Sequence, residues 1–314
     1  MSKKEKETEK APESATQAKE IAHTIVDPGH SQAIGDPTHQ HSVAVQKPGS
    51  VPTAIAGLDL DDLAADQGGG VSNVTATDLS TPIISVLQAN SPQCKRSDGK
   101  YIEGAKEGDL YNNVTNEVYS GEDGLTIIPC YFEKVFVEWK PNRGGLAGVH
   151  PVNTSLREQV KMVKNAEGKD VPTLPNGNNL IETNQHYVLI VRPNEAPEGA
   201  VISMASSQLR SSRLLNTLIK KVQLQDSKGN FFTPASYYMQ YKLTTQAKTK
   251  DQYSWFVWAV ESAGPVQSKA YYDAGKALEK AVAGGKIKVK IDESAHDGGS
   301  PEGQGSDVET PIPF

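Results

Sequence analysis

The sequence has few of the features that mark membrane, secreted or metal-binding proteins. It has two cysteines, Cys94 and Cys130, which suit a reducing compartment and are too few and too far apart for a zinc site by themselves. No apolar run approaches the roughly 20 residues of a membrane helix, and residues 1–20 lack the apolar core of a signal peptide. We therefore expect a cytoplasmic protein with no membrane contact, no metal and no cofactor.

Aromatic residues are also scarce, at 6% of the chain, and the apolar residues are unevenly distributed. Residues 1–77 are poor in apolar side chains, so we predict an acidic disordered region, with a short acidic amphipathic turn within 55–63. We predict one β-rich domain at 78–291, because strand patterns dominate there. Residues 292–314 are predicted to form a disordered acidic tail.

The net charge of −6 hides a partition along the chain. Residues 1–79 carry 6 Lys and Arg against 12 Asp and Glu, residues 80–291 carry 26 against 20, and residues 292–314 carry none against 6. A basic middle between acidic flanks is expected if the middle binds a polyanion and a flank competes for the same surface. The alternative is that this excess of cations is ordinary solvated surface.

The acidic tail ends in an apolar motif, Pro311-Ile312-Pro313-Phe314, preceded by Asp307 and Glu309. Two apolar side chains held between prolines would fit a basic-rimmed apolar pocket on another protein. This ending resembles the acidic C-terminal tail of bacterial and phage single-stranded-DNA-binding proteins. The resemblance implies that Asp307, Glu309, Ile312, Pro313 and Phe314 dock on replication proteins such as a polymerase, helicase or primase.

A second resemblance lies in the predicted domain. It is carried by residues 108–112 (Gly-Asp-Leu-Tyr-Asn), the strand with Pro129, the pair Glu138-Trp139 and the loop with Gly144-Gly145, which are similar to proteins of tailed-phage replication modules. Periodicity indicates a β-rich α+β fold, and the tail resemblance implies an OB-like β-barrel with peripheral helices. A phage-encoded protein would act in the host cytoplasm.

Local patterns predict the individual elements. A long strand at 125–139 should bend at Pro129, because proline cannot donate to a strand ladder. Strands are expected at 186–193, 200–204 and 286–291, and helices after Asp78, at 154–165, at 206–225 and at 268–282. Glycines with Lys140, Arg143 and His150 predict either a mobile loop or a ligand loop at 140–150.

Most of the aromatic residues fall in two runs, 237–246 and 253–261, which predict a hairpin. Rings occur on both faces of these strands, interleaved with lysines, as a base-stacking surface would require. The competing interpretation is a hairpin buried on both sides. The residues that we expect to contact DNA are Trp139, Lys140, Arg143, Arg210, Arg213, Lys220, Tyr238, Lys242, Lys248, Lys250, Trp258 and Lys288.

Together these features predict a sequence-independent single-stranded-DNA-binding protein of replication, recombination or repair. Shortening the chain at Ile291 should then raise DNA affinity and abolish recruitment of partners. The alternative is a virion or assembly protein whose tails dock on other subunits. We expect no enzyme, because Cys130, His150 and His186 form no recognisable nucleophile, base or metal spacing. The sequence leaves the oligomeric state open.

Overall fold

In a computed structural model, the structure describes residues 59–74, 78–141, 144–165, 168, 170–193, 195–250 and 252–287. The acidic tail, the end of the expected strand at 286–291 and most of the N-terminal region lie outside these residues. The first described element is a short helix inside the region predicted to be disordered, close to the expected acidic turn.

The fold has three helices and thirteen strands within the described residues. The helices are α1 (Leu60–Ala65), α2 (Leu209–Lys221) and α3 (Lys269–Ala283). The strands are β1 (Ile83–Val86), β2 (Leu110–Asn112), β3 (Val118–Tyr119), β4 (Leu125–Trp139), β5 (Leu146–Pro151), β6 (Lys161–Lys164), β7 (Asp170–Thr173), β8 (Asn179–Val191), β9 (Glu198–Ala205), β10 (Leu224–Gln225), β11 (Phe231–Phe232), β12 (Met239–Lys250) and β13 (Tyr253–Pro265).

Eleven of these strands form one sheet, with the order β13-β12-β4-β8-β9-β1-β2-β3. Strand β5 adds to β4, while β6 and β7 extend the edge of β8. All pairings are antiparallel except the one between β1 and β9. The β-rich α+β fold predicted from the sequence is thus confirmed, and the remaining two strands, β10 and β11, form a small separate hairpin.

The long strand β4 bends where the sequence predicts it. Its pairing with β8 shifts register between Pro129 and Tyr131, so Cys130 is an extra residue in a bulge. The bend divides β4 into a first half that pairs with β12 and a second half that pairs with β5.

The two long helices pack on opposite faces of the sheet. On one face, Leu215 of α2 joins a buried cluster that includes Tyr241 and Trp258. On the other face, Leu278 of α3 packs against Leu189 in a second buried cluster. Ser268 caps α3 by accepting a hydrogen bond from Tyr271 N, which satisfies one of the free amides at the start of the helix.

The sheet curls into a half barrel, because segments beside β1 and α2 reach the outer edge of β13. The Gln88 side chain accepts from Phe256 N at 2.9 Å and donates to Phe256 O at 3.0 Å. The Gln208 side chain likewise donates to Phe256 O and accepts from Trp258 N. These amides occupy the backbone groups that an edge strand would otherwise expose.

Three secondary-structure predictions need correction. The helix expected after Asp78 is strand β1, because its β-branched residues pair with both β2 and β9. The expected helix at 154–165 is a short 3-10 turn, Ser155–Gln159, followed by β6. The expected helix at 206–225 begins three residues later as α2 and ends at Lys221, because the chain then turns into β10.

Candidate nucleic-acid interface

Helix α2 presents a stripe of basic side chains to solvent. Arg210, Arg213 and Lys220, which the sequence predicted as DNA contacts, are exposed, and Lys221 extends the stripe. Spacings of three and seven residues keep such side chains on one side of a helix. The helix contains no Asp or Glu, and none of these four cations has an ion pair within the described part of the chain.

The opposite side of α2 is fixed to the sheet by hydrogen bonds as well as by packing. Ser211 donates to Trp258 O at 2.5 Å, and Ser212 lies 2.8 Å from Asn184 Nδ2. Both serines are buried, as is Leu215. The basic stripe therefore stands on a rigid support.

The β10–β11 hairpin follows α2 after two residues and carries two exposed rings. Phe231 is 71% exposed and Phe232 is 47% exposed. They lie opposite Gln225 and Leu224, so neighbouring rings point to opposite sides of the hairpin. Exposed aromatic rings are the side chains that stack on unpaired bases, and here they follow the basic stripe directly along the chain.

One carboxylate lies near these rings, but the turn between β10 and β11 uses it. Asp226 accepts hydrogen bonds from Lys228 N and from Asn230 N and Nδ2. The hydrogen bonds from Asn230 lower the pKa of Asp226. The charge of Asp226 is thus shared with the turn amides.

The basic stripe and the two rings together are the α2 surface. It consists of Arg210, Arg213, Lys220, Lys221, Phe231 and Phe232.

A second basic and aromatic region is the end of the β12–β13 hairpin. On β12 the last tie to the body is at Thr245, which donates through its amide to Gly121 O and through its hydroxyl to Gly108 O. On β13 the last tie is at Phe256, whose backbone bonds two glutamine side chains. Beyond these points the two strands pair only with each other within the described residues. We call residues 246–250 and 252–255 the arm, and its exposed residues include Lys248, Lys250 and Tyr253.

The strand register decides which arm side chains share a face. Lys248 lies opposite Trp255, and Lys250 lies opposite Tyr253. Residues directly opposite in an antiparallel pair project to the same side, so two lysines and two aromatic rings form one face. Lys242 projects to this same side near the base of the hairpin, where it lies opposite Glu261.

The α2 surface and the basic face of the arm lie on opposite sides of the β12–β13 ladder. Helix α2 packs on the side that carries Tyr241 and Trp258. The alternation of side chains along β12 places Lys242 and Lys248 on the other side. The predicted DNA contacts on α2 and on the hairpin therefore form two separate regions rather than one surface.

Trp139 and Lys140 lie in a third place, at the far end of β4. Lys242 pairs with Thr126 at the start of β4, and Trp139 lies thirteen residues further on, roughly 40 Å along the bent strand. Lys140 is exposed, and its amide donates to Gly145 O in the turn to β5. This pair is too far along the strand to join the arm.

A hydrogen-bond network orders that end of the sheet. The Glu138 carboxylate accepts from Asn178 Nδ2 at 2.6 Å and from Asn176 Nδ2 at 2.9 Å, and it lies 2.8 Å from His150 Nε2. The hydrogen bond from Asn178 contributes most to a lowered pKa of Glu138. His150, a candidate ligand donor, thus contacts the Glu138 carboxylate of β4. Gly148 leaves room for the imidazole ring, because a Cβ there would lie 3.1 Å from His150 Nε2.

Two expected DNA contacts do not fit the structure. Trp258 is 3% exposed and packs in the core under α2, so it has no free ring face for a base. Tyr238 lies in a half-buried 3-10 turn before β12 and belongs to neither basic region. Strand alternation alone does not distinguish these buried or half-buried rings from the exposed Tyr253, because burial depends on what covers each half of the hairpin.

A buried Ser–His pair lies beneath α2, but no substrate can reach it. Ser212 Oγ is 2.7 Å from His186 Nε2, and the two residues are 0% and 1% exposed. Burial lowers the pKa of His186 to about 4, so the imidazole is neutral at pH 7. Within the described residues, no three His, Cys, Asp or Glu side chains converge as a metal site would require.

Several predicted contacts lie outside the described residues. These are Arg143 and Lys288, expected to contact DNA, and the docking residues Asp307, Glu309, Ile312, Pro313 and Phe314.

The structure also adds residues that the sequence did not single out. Lys221, Phe231 and Phe232 join the α2 surface, while Tyr253 and Trp255 join the arm. The run from Ser206 to Gln225 contains no Asp or Glu, which is a usable signal for Lys221 but does not extend to the two phenylalanines. The second group becomes visible only through the cross-strand register.

The described residues define the class of the protein, a β-rich α+β protein with one curled sheet and few helices. The chain belongs to the family of Pam3 phage gp34-like proteins, whose family model matches residues 53–288. This family agrees with the phage origin indicated by the sequence. Comparisons with curated proteins and with solved structures gave no match. None of the described helices is both long and apolar enough to cross a membrane.

Proposed function

We propose that this protein binds single-stranded DNA without sequence preference, with the α2 surface as its main contact. The observation that carries the proposal is four exposed cations without ion pairs in the described structure, followed directly by two exposed phenylalanines. The cations would neutralise phosphates, and the rings would stack on bases. A solvated basic helix explains the charges but gives no reason for the rings.

The same side chains favour single strands over duplex. In a duplex the bases are stacked on each other, so Phe231 and Phe232 have no free base face to contact. Phosphate contacts remain available in both forms. The ratio of the affinity for single strands to the affinity for duplex should therefore be largest at high salt, where the electrostatic contribution is weakest. Lys220 and Lys221 also complement the C-terminal end of the α2 dipole, so part of their effect on binding can be structural.

The replication role and the docking role of the tail are part of this proposal. The acidic residues 292–314 are expected to recruit a polymerase, helicase or primase through Ile312 and Phe314, with Asp307 and Glu309 facing basic side chains. An OB-like closure of the half barrel is the finer fold that would accompany this role. A chain shortened at Ile291 should lose partner recruitment in a pull-down and bind DNA more tightly.

The test is a titration of fluorescent oligo-dT and of duplex DNA at two salt concentrations. We expect tighter binding of oligo-dT and an affinity that falls steeply as salt increases. The variant Arg210→Gln/Arg213→Gln/Lys220→Gln/Lys221→Gln should lower the slope of log affinity against log salt by about 0.7 for each lost phosphate contact.

The matched control removes the same charge elsewhere. Arg96, Lys100, Lys276 and Lys280 are exposed, and their simultaneous change to Gln should leave the salt slope nearly unchanged. Equal loss in both variants would show that net charge, not the α2 surface, controls binding. Absence of oligo-dT binding at low salt would reject the function and favour the virion or assembly alternative.

A further inference from the structure

The arm has the chemistry of a nucleic-acid contact and lies on the other side of the β12–β13 ladder from the α2 surface. Two lysine–aromatic pairs, Lys248 with Trp255 and Lys250 with Tyr253, lie on one side of the ladder. Tyr253 is 45% exposed, and both lysines are exposed. A row of cations on β12 beside a row of rings on β13 matches the phosphates and bases that run side by side along an unpaired strand.

The body of the protein separates the two regions. The sheet lies between α2 and the basic side of β12, and the outer edge of β13 is occupied by Gln88, Gln208 and Ser211. A strand on the α2 surface would have to pass around this edge to reach Lys248. An oligonucleotide of about ten residues, within the site size of a single binding fold, is therefore expected to fill one region at a time.

We propose that the arm is a second single-strand contact, so that one chain holds two segments of single-stranded DNA at the same time. This inference rests on the proposed function of the α2 surface. Its consequence is an activity beyond coating a strand: the protein bridges two strands, or two distant parts of one strand. Bridging raises the effective concentration of one strand near the other.

The arm is expected to be the weaker contact. It offers two exposed lysines where the α2 surface offers four cations, and Glu261 lies opposite Lys242 near its base. Binding should therefore occur in two steps, with the α2 surface filled first. The second step should be lost at a lower salt concentration than the first.

The experiment counts short oligonucleotides bound to the full-length chain at low salt. Fluorescent oligo-dT of about ten residues is titrated into concentrated protein. In parallel, a biotinylated oligo-dT on beads is tested for capture of a fluorescent oligo-dT through the protein. We expect two oligonucleotides per chain and efficient co-capture. Since dT strands cannot pair with each other, the co-capture must come from the protein.

The variant Lys248→Gln/Lys250→Gln/Tyr253→Ala should bind one oligonucleotide per chain and lose co-capture, while keeping the tighter affinity. That retained affinity also shows that the variant is folded. The control Lys276→Gln/Lys280→Gln should behave as the unchanged chain, because these exposed lysines of α3 belong to neither region.

The outcomes separate this inference from the function on which it rests. One oligonucleotide per unchanged chain would overturn the second contact and leave the proposed function standing. Co-capture that persists in the arm variant would overturn it too, because it would come from association of chains rather than from the arm. No binding by the unchanged chain would reject both.

Discussion

The α2 surface and the arm combine the same kinds of side chains but are built differently. The α2 surface comes from a continuous piece of chain, 210–232, in which a helix supplies the charges and the following hairpin supplies the rings. The arm depends on two strands whose register sets Lys248 opposite Trp255. The side chains of the α2 surface can therefore be predicted from one continuous stretch of sequence, whereas those of the arm can be predicted only when the strand pairing is known.

The same hairpin also shows how support decides the role of an aromatic residue. Near its base, α2 covers one side of the ladder, and Trp258 is 3% exposed. Near its tip the cover is incomplete, and Tyr253 is 45% exposed. The rings alternate in the same way in both halves, so coverage rather than sequence pattern separates core from candidate contact.

The largest expected effect is on stability, and it comes from removing the Trp258 ring, which packs between α2 and the hairpin that carries the arm. Trp258→Ala should lower the free energy of unfolding by about 3–5 kcal/mol, because it empties a packed site between β13 and α2. Tyr253→Ala should change it by less than about 0.5 kcal/mol. Denaturant unfolding measures both, and similar losses would contradict the division of the hairpin into a core half and an exposed half.

Acid should weaken the support of α2. The pKa of His186 falls from an ordinary 6.5 to about 4 through burial, so the folded state favours the neutral ring. This stability is present above pH 6.5 and is lost as pH falls towards 4, by about 3 kcal/mol in total. Urea unfolding at several pH values should show the loss.

The matched variant for this prediction is His186→Gln, which keeps a polar partner for Ser212 but does not titrate. Its stability should change less between pH 7 and pH 4. The Lys134–Glu182 ion pair lies on the same side of the sheet, and it remains in both proteins as a common background. A pH dependence that is the same in both proteins would show that His186 is not its source.

A smaller loss is expected where the arm joins the body. A Cβ on Gly121 would lie 1.8 Å from Gly108 O and 2.3 Å from Thr245 Oγ1, so Gly121→Ala must separate the loop from the hairpin. We expect a cost of about 1–3 kcal/mol, and loss of the second oligonucleotide before the first. Gly99→Ala, with no atom within 4 Å of the added Cβ, should have little effect on stability.

The smallest effect expected is on binding alone. Phe231→Ala and Phe232→Ala should each weaken oligo-dT binding by about 1 kcal/mol and leave unfolding unchanged, because both rings are exposed. Met162→Ala, at another exposed apolar residue, is the control. A fall in stability that accompanies the weaker binding would place these rings in the fold instead of the interface.

Much of the sheet was predictable because its strands carry strong local patterns. The bend at Pro129 follows from a missing amide hydrogen, and the helix after Ser268 follows from its cap. Strand β1 was misjudged, because its place between β2 and β9 depends on distant residues. A helix and a buried strand can share the same short apolar run.

The candidate interface was predictable only where its chemistry is local. The predicted helix at 206–225 already carries Arg210, Arg213 and Lys220, whereas the burial of Trp258 depends on α2, which is a tertiary contact. Trp139 and Lys140 belong to neither region, because they lie roughly 40 Å along the bent strand β4 from the residue that pairs with Lys242. Residue type indicates what a side chain can bind, whereas strand pairing and packing determine its position and exposure.

The most direct test of the central claim is photo-crosslinking of a thiothymidine-substituted oligo-dT to the full-length chain, followed by mapping of the linked peptides. The account predicts a main set of crosslinks at Phe231 and Phe232 and a weaker set at Tyr253 and Trp255 that disappears first as salt is raised. Crosslinks confined to the region 139–151, with none at either predicted set, would contradict it.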